Sequence, residues 1–114
     1  MKKAGKELPV LSFKSADNLR AWLARNHRTS DGIWVKLYKK DSGVPSVTFE
    51  QVLDEGLCFG WSESSRRKVD SQSYLQRFTP RKTRGTTSQR NREHLARLIR
   101  EGRMTSFGLE VLDL

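Results

Sequence analysis

The spacing of apolar residues changes repeatedly along this chain of 114 residues, and this change limits the fold more than any other feature. Ile33, Val35 and Leu37 alternate with polar or aromatic residues, a period of two that is typical of a strand. Residues 19–23 and 49–57 repeat apolar side chains every three or four positions, as one face of a helix does. Because strands and helices do not alternate regularly, the pattern predicts an α+β fold.

Capping signals mark the ends of the predicted helices. Thr48 and Gln51 form a capping box, in which each side chain satisfies the backbone amide of the other residue. Gly60 follows the same helix and is a natural left-handed stop. Three further residues can cap the other helices: Ser15, Ser88 and Thr105. We therefore predict four helices, of which the third ends near Gly102.

A hairpin is predicted in the second half of the chain. Residues 66–69 and 74–79 flank a turn-like segment and have the composition of strands. Leu75, Arg77 and Thr79 share one face of the second strand, which ends at Pro80 because proline cannot donate to a strand ladder. With residues 33–39, the hairpin predicts a small antiparallel sheet of about three strands.

The domain boundaries follow from these elements. We expect residues 1–12 to be a flexible lead-in with a short extended piece at residues 10–11, residues 62–65 to be irregular, and residues 13–114 to form a single domain. The predicted core consists of Leu19, Trp22, Leu23, Val35, Leu37, Val52, Leu53, Leu57, Phe59, Leu95, Leu98 and Ile99.

The positive charge is concentrated in one third of the chain. Residues 66–103 contain twelve Lys or Arg and three Asp or Glu, whereas the remaining residues contain ten of each. Arginine dominates in this region, and its planar guanidinium binds phosphate or carboxylate in two-point fashion. A field of a single sign attracts anionic ligands or polyanions, without showing which anion binds.

The candidate catalytic and metal-binding residues form no recognisable set. Cys58 is the one cysteine and lies in an apolar run, which favours a small buried side chain over a nucleophile. His27 and His94 are far apart and are interpreted as solvated helix residues, so no metal or cofactor is expected. Asp54 and Glu55 are adjacent on a helix and cannot pair across one substrate atom. We therefore predict no catalytic residues and favour a protein without enzymatic activity.

Several sequence blocks resemble the YdeI/OmpD-associated family, also called bacteriocin-protection proteins. They are Ser30-Asp31-Gly32-Ile33-Trp34-Val35, Leu57-Cys58-Phe59-Gly60-Trp61, Tyr74-Leu75-Gln76-Arg77-Phe78-Thr79-Pro80-Arg81, Asn91-Arg92-Glu93 and Glu101-Gly102-Arg103-Met104-Thr105. The resemblance covers most of the chain. It implies a cytoplasmic bacterial protein linked to tolerance of bacteriocins or cationic antimicrobial peptides. It implies no agreed catalytic residues.

The predicted ligand-binding surface lies where the helix that ends at Gly60 meets the basic hairpin. Its members are Trp61, Glu63, Arg66, Tyr74, Arg77, Arg81 and Arg84. Two alternatives to a binding role remain. Trp61 and Tyr74 would pack in the core, and Arg77 would form a salt bridge with Asp70 or Glu63.

Three classes of function are compatible with this surface. The favoured one is a non-enzymatic binding module for an anionic ligand or a protein partner. A nucleic-acid-binding protein is the second, because arginines and aromatic residues interleave in the hairpin. An enzyme that acts on a small anionic substrate is the third. No run of apolar residues approaches the ~20 that a membrane span needs.

Overall fold

The structure, a computed structural model, describes residues 7–82 and 89–114. The strands are β1 (Val10–Ser12), β2 (Ile33–Tyr38), β3 (Trp61–Lys68) and β4 (Ser73–Pro80). The helices are α1 (Ala16–Asn26), α2 (Phe49–Phe59), α3 (Gln89–Arg100) and α4 (Ser106–Val111). One mixed sheet and the surrounding helices confirm the predicted α+β class.

The sheet has four strands in the order β1-β2-β4-β3. The two pairs that involve β4 are antiparallel, as predicted, but β1 pairs with β2 in parallel. The sheet is therefore mixed rather than purely antiparallel. The extended piece expected at residues 10–11 is part of β1, which joins the sheet through pairs such as Leu11 with Val35. A strand of three residues is too short to show the alternation of apolar and polar residues from which a strand can be predicted.

Strand β3 is longer than predicted and contains a β-bulge. It begins at Trp61 and includes residues 62–65, for which an irregular segment was predicted. Glu63 pairs with Phe78 and Arg66 pairs with Gln76, so two residues of β3 lie opposite one residue of β4. The extra residue keeps Glu63 and Arg66 on the same face of the sheet and places Arg67 on the other.

The predicted helix caps are present where the structure describes them. The Thr48 hydroxyl accepts a hydrogen bond from the Gln51 amide at 3.2 Å, and the reciprocal bond completes the capping box of α2. Gly60 ends α2 at a φ of 76°, a value that glycine adopts without the strain of a Cβ atom. Ser15 and Thr105 cap α1 and α4, whereas Ser88 lies outside the described residues.

The core forms between the helices and one face of the sheet. It combines Ile33, Val35, Leu37 and Phe78 of the sheet with residues of the helices. Two core predictions were inaccurate: Ile99 is 50 % exposed, and Trp22 is only partly buried. In α3, Leu95 and Leu98 are buried, so the apolar face of that helix is narrower than its sequence suggested.

Candidate functional site

The face of the sheet that points away from the core is called the outer face here. It is defined by Trp34, Lys36 and Tyr38 of β2, Leu75, Arg77 and Thr79 of β4, and Arg67 of β3. Trp34 and Leu75 are buried but do not belong to the core cluster. The alternation predicted for β2 and β4 is therefore correct, and the outer face contains its own small apolar patch.

Two arginines cover the indole ring of Trp34. The guanidinium carbon of Arg67 lies 4.5 Å from the ring centroid, and that of Arg77 lies 5.8 Å from it. Trp34 is consequently only 5 % exposed although it belongs to the outer face. Stacking on an aromatic ring holds a guanidinium in place while its N–H groups remain available to an anion.

The outer face has few acidic partners for its cations. Arg67 contacts Glu7 at 3.9 Å, and both side chains are largely exposed. Asp70 accepts hydrogen bonds from the Gln72 amide and the Ser73 hydroxyl, which lower the pKa of its carboxyl. Within the described parts of the chain, no carboxylate lies within 4 Å of Arg77, so the alternative salt bridge to Asp70 or Glu63 is absent.

Several other members of the predicted surface lie in the core or on the opposite face of the sheet. Trp61 is 1 % exposed and packs against Trp22 and Phe78, so it is a core residue, as the alternative held. Arg66 donates from Nε to Gln76 at 3.1 Å and stacks against Tyr74, on the face opposite to Arg77. Arg84 lies outside the described residues.

Arg81 lies between two grooves at the end of β4. The smaller groove, of about 380 Å³, brings it together with Arg77, Lys82 and Asp31. The larger groove, of about 440 Å³, is called the rear groove here. Its lining includes His27, Arg28, Gly60, Pro80, Arg81, Phe107, Glu110 and Val111. Burial lowers the pKa of Arg81, against the smaller opposing effect of the Glu63 charge.

The two histidines are only partly exposed, and each contacts other side chains, whereas the prediction took them to be solvated. His27 packs against Phe59 and Phe107, with ring centroids 5.2 and 4.9 Å away. His94 contacts Asp54 through Nδ1 at 3.0 Å. Sequence reasoning missed His27 as a groove residue, because only its tertiary contact with Phe107 of α4 places it in the same groove as Arg81.

The adjacent acids Asp54 and Glu55 bind separate basic partners. Asp54 accepts two hydrogen bonds of 2.8 Å from Nη2 of Arg97. Glu55 is 1 % exposed and pairs with Arg20 at 2.9 Å and with Arg103. Both carboxylates are thus engaged in ion pairs with arginines.

Cys58 has the surroundings of a structural thiol. It is fully buried, and burial raises the pKa of its thiol, which disfavours the reactive thiolate. Among residues 7–82 and 89–114, no three His, Cys, Asp or Glu side chains are grouped so that they could hold a metal ion. No helix in the same residues has the length and apolar composition that crossing a membrane requires.

Residues 11–111 match the profile of a family described as Domain of unknown function (DUF8412). Because this match covers most of the chain, the protein belongs to that family. The chain matches no curated protein and no solved structure.

Proposed function

We propose that this protein is a non-enzymatic binding module that holds an anionic ligand or partner on the outer face of its sheet. The observation that carries the proposal is the pair of guanidinium groups of Arg67 and Arg77 on the ring of Trp34. Stacking on the buried ring of Trp34 restricts both groups, which reduces the conformational entropy that is lost when an anion binds.

The positive charge of the outer face also supports the proposal that this face binds an anion. Lys36 extends the positive surface next to the two arginines, with its ammonium 5.1 Å from the ring centroid of Tyr38. Among the residues that the structure describes, Arg67 has one distant acidic contact, at 3.9 Å and between exposed side chains. Such a contact is weak in water, and an incoming phosphate or carboxylate would displace it readily.

The likeness to the YdeI/OmpD-associated family adds a biological setting to the proposal. That resemblance supports a cytoplasmic role in tolerance of bacteriocins or cationic peptides. A basic surface repels a cationic peptide, so the partner that we propose is an anionic cellular component rather than the peptide itself.

A nucleic acid is the second candidate ligand. Single-stranded nucleic acids offer phosphates for cations and flat bases that stack on aromatic or guanidinium planes. The guanidinium groups over Trp34 could meet both phosphates and bases, which supports this class as the second candidate.

A binding panel read against salt tests the proposal. Inorganic phosphate, polyphosphate, an oligothymidylate and an acidic peptide would each be titrated into the protein at several salt concentrations. We expect a polyanion to bind, and its affinity to fall steeply as salt rises. If none of the four binds at low salt, the proposed function is wrong.

A further inference from the structure

The smaller groove, at the end of β4, adjoins the stacked arginines of the outer face. Its lining consists of Asp31, Arg77, Thr79, Pro80, Arg81 and Lys82. Arg77 belongs to both places, because its guanidinium carbon also lies 5.8 Å from the ring centroid of Trp34. A ligand that binds on the stack therefore lies next to this groove.

Three cations line the smaller groove without an ion pair. Within the described parts of the chain, Arg77, Arg81 and Lys82 form no salt bridge with a carboxylate. Arg81 is partly buried, and burial lowers its pKa against the smaller opposing effect of the Glu63 charge. A charge that has lost hydration without gaining a close counter-ion is stabilised by an anion beside it. The groove therefore favours an anion more than a fully solvated row of cations does.

The charge of the lining matches a dianion. Among the described residues, Arg77, Arg81 and Lys82 contribute three positive charges and the exposed Asp31 contributes one negative charge. A phosphate monoester carries about −1.5 to −2 charges near pH 7 and has three strong acceptor oxygens. Arginine suits this group because its planar guanidinium can donate two hydrogen bonds to one phosphate. A phosphodiester or a carboxylate carries a single negative charge and compensates the lining less completely.

The size of the groove limits the ligand further. Its volume of about 380 Å³ lies near the lower end of the roughly 300–1,000 Å³ that small-molecule sites occupy. The groove therefore has room for a small group rather than for a polymer chain. A phosphate monoester occurs at the end of a nucleic acid or on a small phosphorylated molecule, so the group that enters the groove is a terminal one.

We propose that the smaller groove binds a terminal phosphate group, a phosphate monoester, of the ligand on the outer face. The inference rests on the proposed function and adds the chemical group that the ligand presents at the end of β4. The phosphate oxygens accept from the guanidinium of Arg77 and the ammonium of Lys82, and the positive charge of Arg81 stabilises them further. The rest of the ligand extends toward Trp34.

Binding of matched oligothymidylates to the full chain tests the groove. One strand has hydroxyl groups at both ends, and two others carry a phosphate at the 5′ or the 3′ end. A fourth strand is unphosphorylated but two nucleotides longer, which adds the same negative charge as a terminal phosphate. We expect at least one terminal phosphate to tighten binding about tenfold or more, as a charge-assisted hydrogen bond provides. The longer strand should gain clearly less.

Thymidine 5′-monophosphate and its methyl ester test the second source of the phosphate. The methyl ester is a phosphodiester and has one negative charge fewer. We expect the monophosphate to shift the NMR signals of Thr79 and Lys82, and the methyl ester to bind about tenfold more weakly. Similar affinities for the monophosphate and the phosphorylated strand would support a small ligand, whereas a much tighter strand would support a nucleic-acid end.

Four variants separate the groove from the stack, and the readout is the ratio of affinities for the phosphorylated and unphosphorylated strands. Lys82→Ala should remove most of this ratio, and Asp31→Asn should increase it because a repulsive charge is lost. Arg67→Ala should weaken both strands and keep the ratio. Lys14→Ala removes an exposed cation beside α1 and is the matched control, for which we expect the wild-type ratio.

Two results would overturn the proposal. The first is that neither terminal phosphate binds better than the longer strand, and that thymidine 5′-monophosphate binds no better than its methyl ester. The second is the same affinity ratio for folded Lys82→Ala and Lys14→Ala.

The proposed function fails by a different result. If unphosphorylated strands bind and Arg67→Ala weakens them, the outer face remains a binding surface even when the terminal phosphate has no effect. If no strand binds but the monophosphate shifts the signal of Lys82, the groove remains a phosphate site and the outer-face function is wrong for nucleic acids.

Discussion

The guanidinium carbon of Arg67 lies 4.5 Å from the ring centroid of Trp34, although the two residues belong to strands that are separated by β4. Arg67 reaches this position because the bulge in β3 reverses which residues of that strand face outward. A local irregularity in the backbone therefore places a second arginine beside Arg77 on the outer face. The candidate binding surface depends on this bulge.

Replacement of Glu55 should strongly destabilise the fold. Its buried carboxylate pairs with Arg20 and Arg103, so Glu55→Gln removes the counter-charge of Arg20 and leaves Arg103 only its longer contact with Glu101, at 3.7 Å. We expect a loss of about 3–5 kcal/mol in the free energy of unfolding, measured in urea. Glu101→Gln, at a side chain that is 44 % exposed, is the matched control and should cost at most about 1 kcal/mol. Equal losses would show that burial of the pair is unimportant.

Cys58 should resist modification in the folded protein. Its thiol is buried and its pKa is raised by burial, so a thiol-specific reagent such as DTNB should react only after urea unfolds the chain. Rapid and complete labelling of the native protein would contradict the structure around α2.

The same pKa shift predicts how stability depends on pH. Because the folded state disfavours the thiolate, the unfolded chain loses this proton first, near its ordinary pKa of about 8.5. The contribution of Cys58 should therefore reduce the stability as the pH rises above that value. Cys58→Ala should remove this part of the decline, which parallel urea titrations of both proteins at several pH values would detect. An identical alkaline decline in both proteins would refute it.

The contact between α4 and the end of α2 should tolerate no added side chain. A Cβ atom at Gly108 would collide with the carbonyl oxygen of Cys58, which also accepts hydrogen bonds from Thr105. We expect Gly108→Ala to cost about 1–3 kcal/mol, as overpacking does. Ser106→Ala, at an exposed position of the same helix, should stay within about 0.5 kcal/mol of the wild type. A stable Gly108→Ala protein would show that α4 packs differently.

Sequence reasoning found the elements whose signals are local. The capping box at Thr48 and Gln51 and the stop at Gly60 define α2 because each signal acts within a few residues. The two faces of β4 were predicted for a similar reason, since alternation is a property of the strand itself. Tertiary pairing decided the rest. Strand β1 has three residues, which are too few to carry a sequence signal for its parallel pairing with β2.

The candidate site was predicted only in part because a bulge has no clear sequence signal. If the residues of β3 alternated between the two faces without a bulge, Arg66 and Arg77 would lie on the same face. The extra residue of β3 moves Arg66 to the opposite face and places Arg67 on the outer face with Arg77. Trp61 was expected to emerge after α2, but the turn at Gly60 directs it into the core beside Trp22. Neither event follows from residue types alone, because both depend on how β3 aligns with β4.

The most direct test of the outer face compares two double variants in binding to an oligothymidylate as a function of salt. Arg67→Ala with Arg77→Ala removes the stacked pair. Lys14→Ala with Arg25→Ala removes the same charge from exposed positions in and beside α1. If each arginine meets one phosphate, the first variant should reduce the slope of log affinity against log salt by about 0.7 per contact. The second should keep the wild-type slope. Equal weakening by both variants would show that net charge alone drives binding and would contradict a site on the outer face.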